Sequence, residues 1–237
     1  DLFQVEVSEK DQELEIARLS HVHIDFDLGG LTDFSLKIEN VTATDLFLDL
    51  VRAADGKWNL SLPAASSDEP AATPFKAPLA VRLDGAFISV DDRMNGYSIS
   101  FPVDRASAMS GAGGFGRWRL SADFGGGLIG LWRVSAACDI PQRSFEGDFN
   151  VIDLNLSKGL RSRMPPYARH VYDNFEPSGL VDVSGTVSLN GEAGVNFDVE
   201  TVLKGCACVY SRFPAQVEDI YGSISFDRVG LSFDGIT

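Results

Sequence analysis

Apolar and polar residues alternate with a period of two along almost the whole chain. Val22, Ile24, Phe26 and Leu28 are spaced by polar residues, as are Phe34, Leu36 and Ile38, and then Leu46, Leu48 and Leu50. The pattern returns at Leu79, Val81 and Leu83, at Tyr97, Ile99, Phe101 and Val103, and at Trp118, Leu120, Ala122 and Phe124. Later come Phe145, Phe149 and Val151, Val181 to Leu189, Val195 to Val199, Ile220 to Phe226 and Val229 to Phe233. Alternate residues of a strand share a face, so each run offers one apolar and one wet side. Breaks rich in Gly, Asn and Asp, such as Gly29-Gly30, Asn95-Gly96 and Asn190-Gly191, separate the runs. These are hairpin signals, and they predict a mainly β chain of about a dozen antiparallel strands.

Two segments depart from the pattern. Pro63 to Pro78 contains four prolines among small polar residues and reads as an exposed loop, since proline removes ladder donors. In the second, Leu160, Met164, Tyr167, Val171 and Phe175 recur at steps of three and four, and Pro165-Pro166 suits a first helical turn. One short amphipathic helix is expected there, laid over an end or edge of the sheet. The organisation is then a sheet segment over 1–157 carrying the loop 63–78, a helix over 158–176, and a continuing sheet over 177–237.

Charge narrows the partners. Asp and Glu number 34 against 20 Lys and Arg, a formal net charge of −14, which repels phosphate backbones and excludes nucleic acid as a partner. It also disfavours adhesion to anionic headgroups by bulk charge, so any membrane contact is apolar or made by parts outside this chain. Sixteen phenylalanines suit a pleated apolar surface. Three cysteines, Cys138, Cys206 and Cys208, do not describe a disulfide scaffold. The pair Cys206 and Cys208 reads as small buried side chains, with too few other ligand types nearby for a metal. The chain opens at Asp1 and closes with alternation still running, so both ends read as cuts within something longer.

Catalytic chemistry finds little to stand on. Gly111-Ala112-Gly113-Gly114-Phe115-Gly116 is a literal G-x-G-x-x-G, but Arg117 to Ala122 alternates as a strand where a dinucleotide site needs a helix. It reads as a hairpin loop. His21 and His23 share a strand face continued by Asp25 and Asp27, which raises a minor metal-enzyme reading against the plainer one of a solvated strand face. No G-x-S-x-G, H-E-x-x-H, P-loop or C-x-x-C occurs, and the carboxylates fall in turns or alternate outward. No catalytic residue, metal site or cofactor is assigned.

Asp55 to Pro63 (DGKWNLSLP), a Pro/Ala-rich insert, and Leu79 to Asp92 (LAVRLDGAFISVDD) together resemble the bacterial AsmA-like envelope family, which includes the TamB-like proteins. So do Met164 to Leu189 (MPPYARHVYDNFEPSGLVDVSGTVSL) and Phe213 to Asp227 (FPAQVEDIYGSISFD). About half of the chain is covered by loose strand-and-turn motifs whose order carries the likeness. The resemblance implies a long twisted sheet curled into a groove whose apolar inner face shelters acyl chains. It further implies a periplasmic protein anchored in the inner membrane, associated with phospholipid movement and outer-membrane homeostasis, with phospholipid or another acyl lipid as ligand and envelope proteins as further partners. On that reading Val22, Ile24, Phe26, Leu36, Ile38, Leu46, Leu48, Ile99 and Phe101 line the groove. The competing expectation is a closed structural or protein-binding β module, because the same alternation also builds a sandwich core.

Overall fold

The computed structural model describes residues 2–8, 15–27, 37–59, 79–111, 116–164, 166–190 and 194–237. Leu36 and the Pro63 to Pro78 segment lie outside the described residues. Strands take up 73% of what is described. They form one open sheet in chain order: β1 (Leu2–Ser8), β2 (Glu15–Asp27), β3 (Lys37–Arg52), β4 (Ala80–Asp92), β5 (Tyr97–Ser110), β6 (Arg117–Gly125), β7 (Leu131–Asp139), β8 (Ser144–Leu156), β9 (Ser178–Asn190), β10 (Gly194–Tyr210), β11 (Phe213–Asp227) and β12 (Leu231–Asp234). β1 and β12 do not meet, and β8 pairs directly with β9 across the helical insertion, so the sheet segments expected before and after the helix are one continuous sheet.

Every neighbouring pair is antiparallel except one. β3 and β4 run parallel, from Asn40↔Ala80 to Arg52↔Asp92, which corrects the expectation of antiparallel hairpins throughout. A tight turn can only reverse a strand, whereas parallel neighbours need a connection of a dozen or more residues. The long stretch from Ala53 to Leu79 supplies it. Just after β3 the chain folds back: the Asn59 amide donates to the Val51 carbonyl at 2.8 Å, and Asn59 Nδ2 donates to the Asp49 carbonyl at 2.8 Å.

Several strands change the parity of their apolar positions partway along. In β3 the inward residues are Val41 and Ala43, then Leu46, Leu48 and Leu50; in β4 they are Val81 and Leu83, then Ala86, Ile88 and Val90. The switch falls at Asp45 (φ 52°) and Gly85 (φ 73°), which lie beside each other, and β5 shifts register against β6 at the same level, between Val103 and Arg105. A second line of irregularities crosses β8 at Asp153 (φ 57°), β10 at Gly205 (φ 69°) and β11 at Asp219 (φ 54°). Bulges bend a strand and increase its twist. Aligned across neighbours, they fold the sheet into a trough.

The expected single helix is two: α1 (Lys158–Arg161) and α2 (Pro166–Phe175). Pro166 opens α2, and Pro165 and Pro166 carry no backbone N–H with which to continue a helical ladder, which keeps α1 and α2 separate. Arg161 forms a two-pronged ion pair with Asp173, tying the helices together. α1 rests on β8 and on the 3-10 turn Gly127–Ile129, while α2 reaches β10, where Phe175 stacks on Tyr210 at 5.3 Å. Leu160 and Tyr172 are buried here, together with Val151 (0% exposed), Val181 (1%) and Cys206. This is a local core at one rim of the trough.

Elsewhere the apolar face has no second layer among the described residues. The chain exposes 16015 Å². A compact monomer of 25.6 kDa would expose roughly 10,400 Å². A sheet without a second layer contributes to that excess.

Candidate functional site

Residues directly opposite one another on paired strands share a face, so the registers trace which side chains lie together. One row runs Leu46, Ala86, Val103, Phe124, Trp132, Val151, Val183, Thr201, Ile224 and Phe233, crossing β3 to β12 with a single hydroxyl in it. The row on one side holds Leu48, Ile88 and Phe101. On the other side come Val22, Ala43, Leu83, Ala106, Ala122, Val134 and Phe149, and beyond them Ile24, Val41, Val81, Ala108 and Leu120. The apolar surface is therefore continuous along the trough, and the parallel β3–β4 pair does not interrupt it.

Rings knit the middle of this face. Phe101 lies 5.1 Å from Phe124, Phe124 stacks on Trp132 at 5.6 Å, and Trp132 on Phe149 at 6.2 Å. The Trp132 indole N–H donates to the Ile129 carbonyl at 2.7 Å, which removes its polar atom from the apolar surface.

Val22, Ile24, Phe26, Ile38, Leu46, Leu48, Ile99 and Phe101, all expected to line a groove, register onto this one face. None of them is fully buried, and Phe26 is 43% exposed. Ile88, Val90, Phe124, Trp132, Phe149, Val183 and Ile224 stand on the same face and were not among the expected set. Ile88 and Val90 carried a signal, since alternation resumes in β4 one position out of step after Gly85. For the later residues the alternation was visible, but nothing local assigns them to the same face as β3.

The opposite face is polar and stitched by cross-strand ion pairs. Arg117 pairs with Asp139 at 2.7 Å, Arg133 with Asp123 at 3.2 Å, and Arg105 with Asp84 at 3.7 Å. The Asp139 carboxyl is held below its ordinary range, chiefly by the Gln142 backbone amide and then by Arg117. Lys204 bridges Asp182 (2.6 Å) and Asp153 (3.0 Å), and Asp182 also accepts the Asp153 backbone N–H at 3.0 Å, clamping the bulge in β8. Lys204 and the Asp153 amide lower the Asp182 carboxyl, and Asp182 in turn raises the Lys204 ammonium. Apolar side chains interrupt the polar pattern: Phe47 stacks on Phe87 at 5.6 Å, beneath the Arg18 guanidinium, and Leu131 lies opposite Ile152.

The residues weighed for chemistry are dispersed. His23 Nε2 lies 2.8 Å from Asp25 Oδ1, both half exposed on the outer face. Among the described residues no three of His, Cys, Asp and Glu gather within reach of one metal ion. The three thiols are free; Cys206 is buried and its Sγ donates to the Leu180 carbonyl at 3.3 Å. Gly111 and Gly116 bracket a hairpin whose strands β5 and β6 pair antiparallel, so the glycine-rich stretch does not open a helix.

Two hollows mark the two rims. One of about 1100 Å³ sits where the end of β5, the start of β6, the β7–β8 hairpin and the end of β9 meet, with Trp118, Cys138, Phe145 and Leu189 among its walls. The other, about 750 Å³, lies at the opposite rim between α1, α2 and the start of β9. Among the described residues no helix is long and apolar enough to cross a membrane. No protein-family model matches the chain, and no curated protein matches it.

Proposed function

We propose that this chain is a non-catalytic segment of an envelope-spanning lipid conduit of the AsmA-like kind, sheltering phospholipid acyl chains on the apolar face of its trough between inner and outer membranes. The observation that carries the reading is the unbroken set of apolar rows, which runs from one side of the sheet to the other and is left partly exposed along most of its length. Water on such a face is unfavourable, and an acyl chain laid there gains roughly 0.8 kcal/mol for each CH₂ it buries. The polar outer face keeps the same sheet wetted on its other side. A closed module would need the rows covered by protein, and α1 and α2 cover only the β8–β10 corner.

The test is native mass spectrometry and solvent extraction of the chain purified without detergent. Co-purifying phospholipid is expected, and a delipidated sample should reload from vesicles. A chain that carries no lipid and takes none up would overturn the proposal.

A further inference from the structure

The hollow at the helical rim has a composition unlike the rest of the trough. Its walls include Leu156, Ser157, Lys158, Arg161, Asp173 and Glu176. Arg161 and Asp173 neutralise each other. That leaves one cation, Lys158, and one anion, Glu176, both exposed and neither in an ion pair among the described residues. The Ser157 hydroxyl oxygen is buried in the same place without a hydrogen-bond partner, although Ser157 precedes α1 and could have capped it. Glu176 is held with positive φ (35°), a conformation costly for a side chain of its kind. The apolar face begins beside it, since Leu156 is the next inward residue of β8 after Leu154, which pairs with the buried Val181.

Resting on the conduit reading, we propose that this hollow binds the zwitterionic headgroup of an amine-bearing phospholipid. The phosphate is met by Lys158, the free N–H groups of Arg161 and the Ser157 hydroxyl; the primary ammonium is met by Glu176 and the outer lone pairs of Asp173. One free charge of each sign fits a headgroup that carries one of each. A headgroup with only a phosphate leaves Glu176 facing like charge. A choline headgroup offers no N–H to donate, so it satisfies the carboxylates less well than a primary amine does. The acyl chains place the ligand at the rim and continue onto the rows beyond Leu156.

The experiment takes the whole chain, delipidated, equilibrated with vesicles of equal parts phosphatidylethanolamine, phosphatidylcholine and phosphatidylglycerol, with bound lipid read by native mass spectrometry. The expected result is ethanolamine lipid enriched at least about threefold over each of the others. Lys158→Ala, Glu176→Gln and Ser157→Ala should each return the classes toward vesicle proportions while the total bound lipid stays constant. Leu48→Asp should instead lower the total. Lipid bound in vesicle proportions, or enrichment untouched by the three rim variants, overturns the headgroup site and leaves the conduit standing. Absence of any lipid overturns both. Equal binding of soluble glycerophosphoethanolamine would assign the hollow to a soluble ligand and overturn the proposal.

Discussion

Leu48 of β3 and Phe101 of β5 stand in one row of the sheet, on the same face, with only Ile88 of β4 between them. Both are partly exposed, whereas Val151, in the adjacent row, is 0% exposed beneath the helical rim. The three residues offer a controlled contrast. Leu48→Asp and Phe101→Asp are expected to fold, with losses below ~2 kcal/mol, because the new carboxylate stays hydrated; both should lose bound lipid. Val151→Asp should cost several kcal/mol and unfold the sheet, since its carboxylate would be enclosed. Urea denaturation beside lipid extraction separates the cases, and unfolding of all three alike would count against an open trough.

Two glycines with nearly the same backbone should respond differently to alanine. Gly96 (φ 68°) has open space where a Cβ would go, so Gly96→Ala should cost only the left-handed penalty, ~1 kcal/mol. Gly130 (φ 71°) would place that carbon 2.6 Å from the Ile152 carbonyl oxygen, against the bulge of β8. Gly130→Ala should cost more than ~3 kcal/mol, the difference being steric. Thermal melts of the two variants check this.

The bulge clamp predicts an acid limb. Asp182 has a folded pKa below its unfolded value of about 3.9, so its contribution is complete above that value and is lost as pH falls through the folded pKa. Lys204 is raised, so its contribution persists below about pH 10 and is lost only as pH rises through the folded value. Stability should be level through neutral pH and fall below about pH 4, and Asp182→Asn should make that fall shallower. Denaturant titrations at stepped pH measure the slope.

Cys206 and Cys208 are expected to matter for packing alone. Cys206→Ser should cost at most ~2 kcal/mol through its buried position, and Cys208→Ser less, with lipid uptake unchanged in both. Stoichiometric zinc in the parent that disappears from the double variant would contradict this.

Much of the fold was legible because a period of two is a local property. Val22 to Phe26 and Tyr97 to Val103 fall inside β2 and β5, where the alternation placed them. The helical stretch was legible as helix but not as two helices, since its apolar spacing ignored the missing backbone N–H groups of Pro165 and Pro166. What alternation could not supply was anything that depends on neighbours. Asp45 and Gly85 each look like an interruption between two short strands, yet each lies within one long strand whose apolar side they preserve by shifting parity. The parallel pairing of β3 with β4 was hidden for the same reason, because no residue in either strand records the direction of its partner. The charged hollow was hidden more deeply: Lys158 and Glu176 are brought to it from either end of the helical insertion by α1 and α2 folding against each other.

The parallel pair has a mechanical consequence. Most other junctions in the sheet are closed by short turns that set the register and let each strand zip onto the one before it. At β3–β4 no such turn exists, and a slip of one residue would turn every inward side chain of one strand outward. The neighbouring Asp45 and Gly85 bulges act there as a notch and its key, admitting one alignment. Strands β1 to β3 are thus joined to the strands that follow along a keyed seam. A seam of that kind closes last, because it must wait for a long loop to bring its edges together, and it parts first when the sheet is stretched along its length.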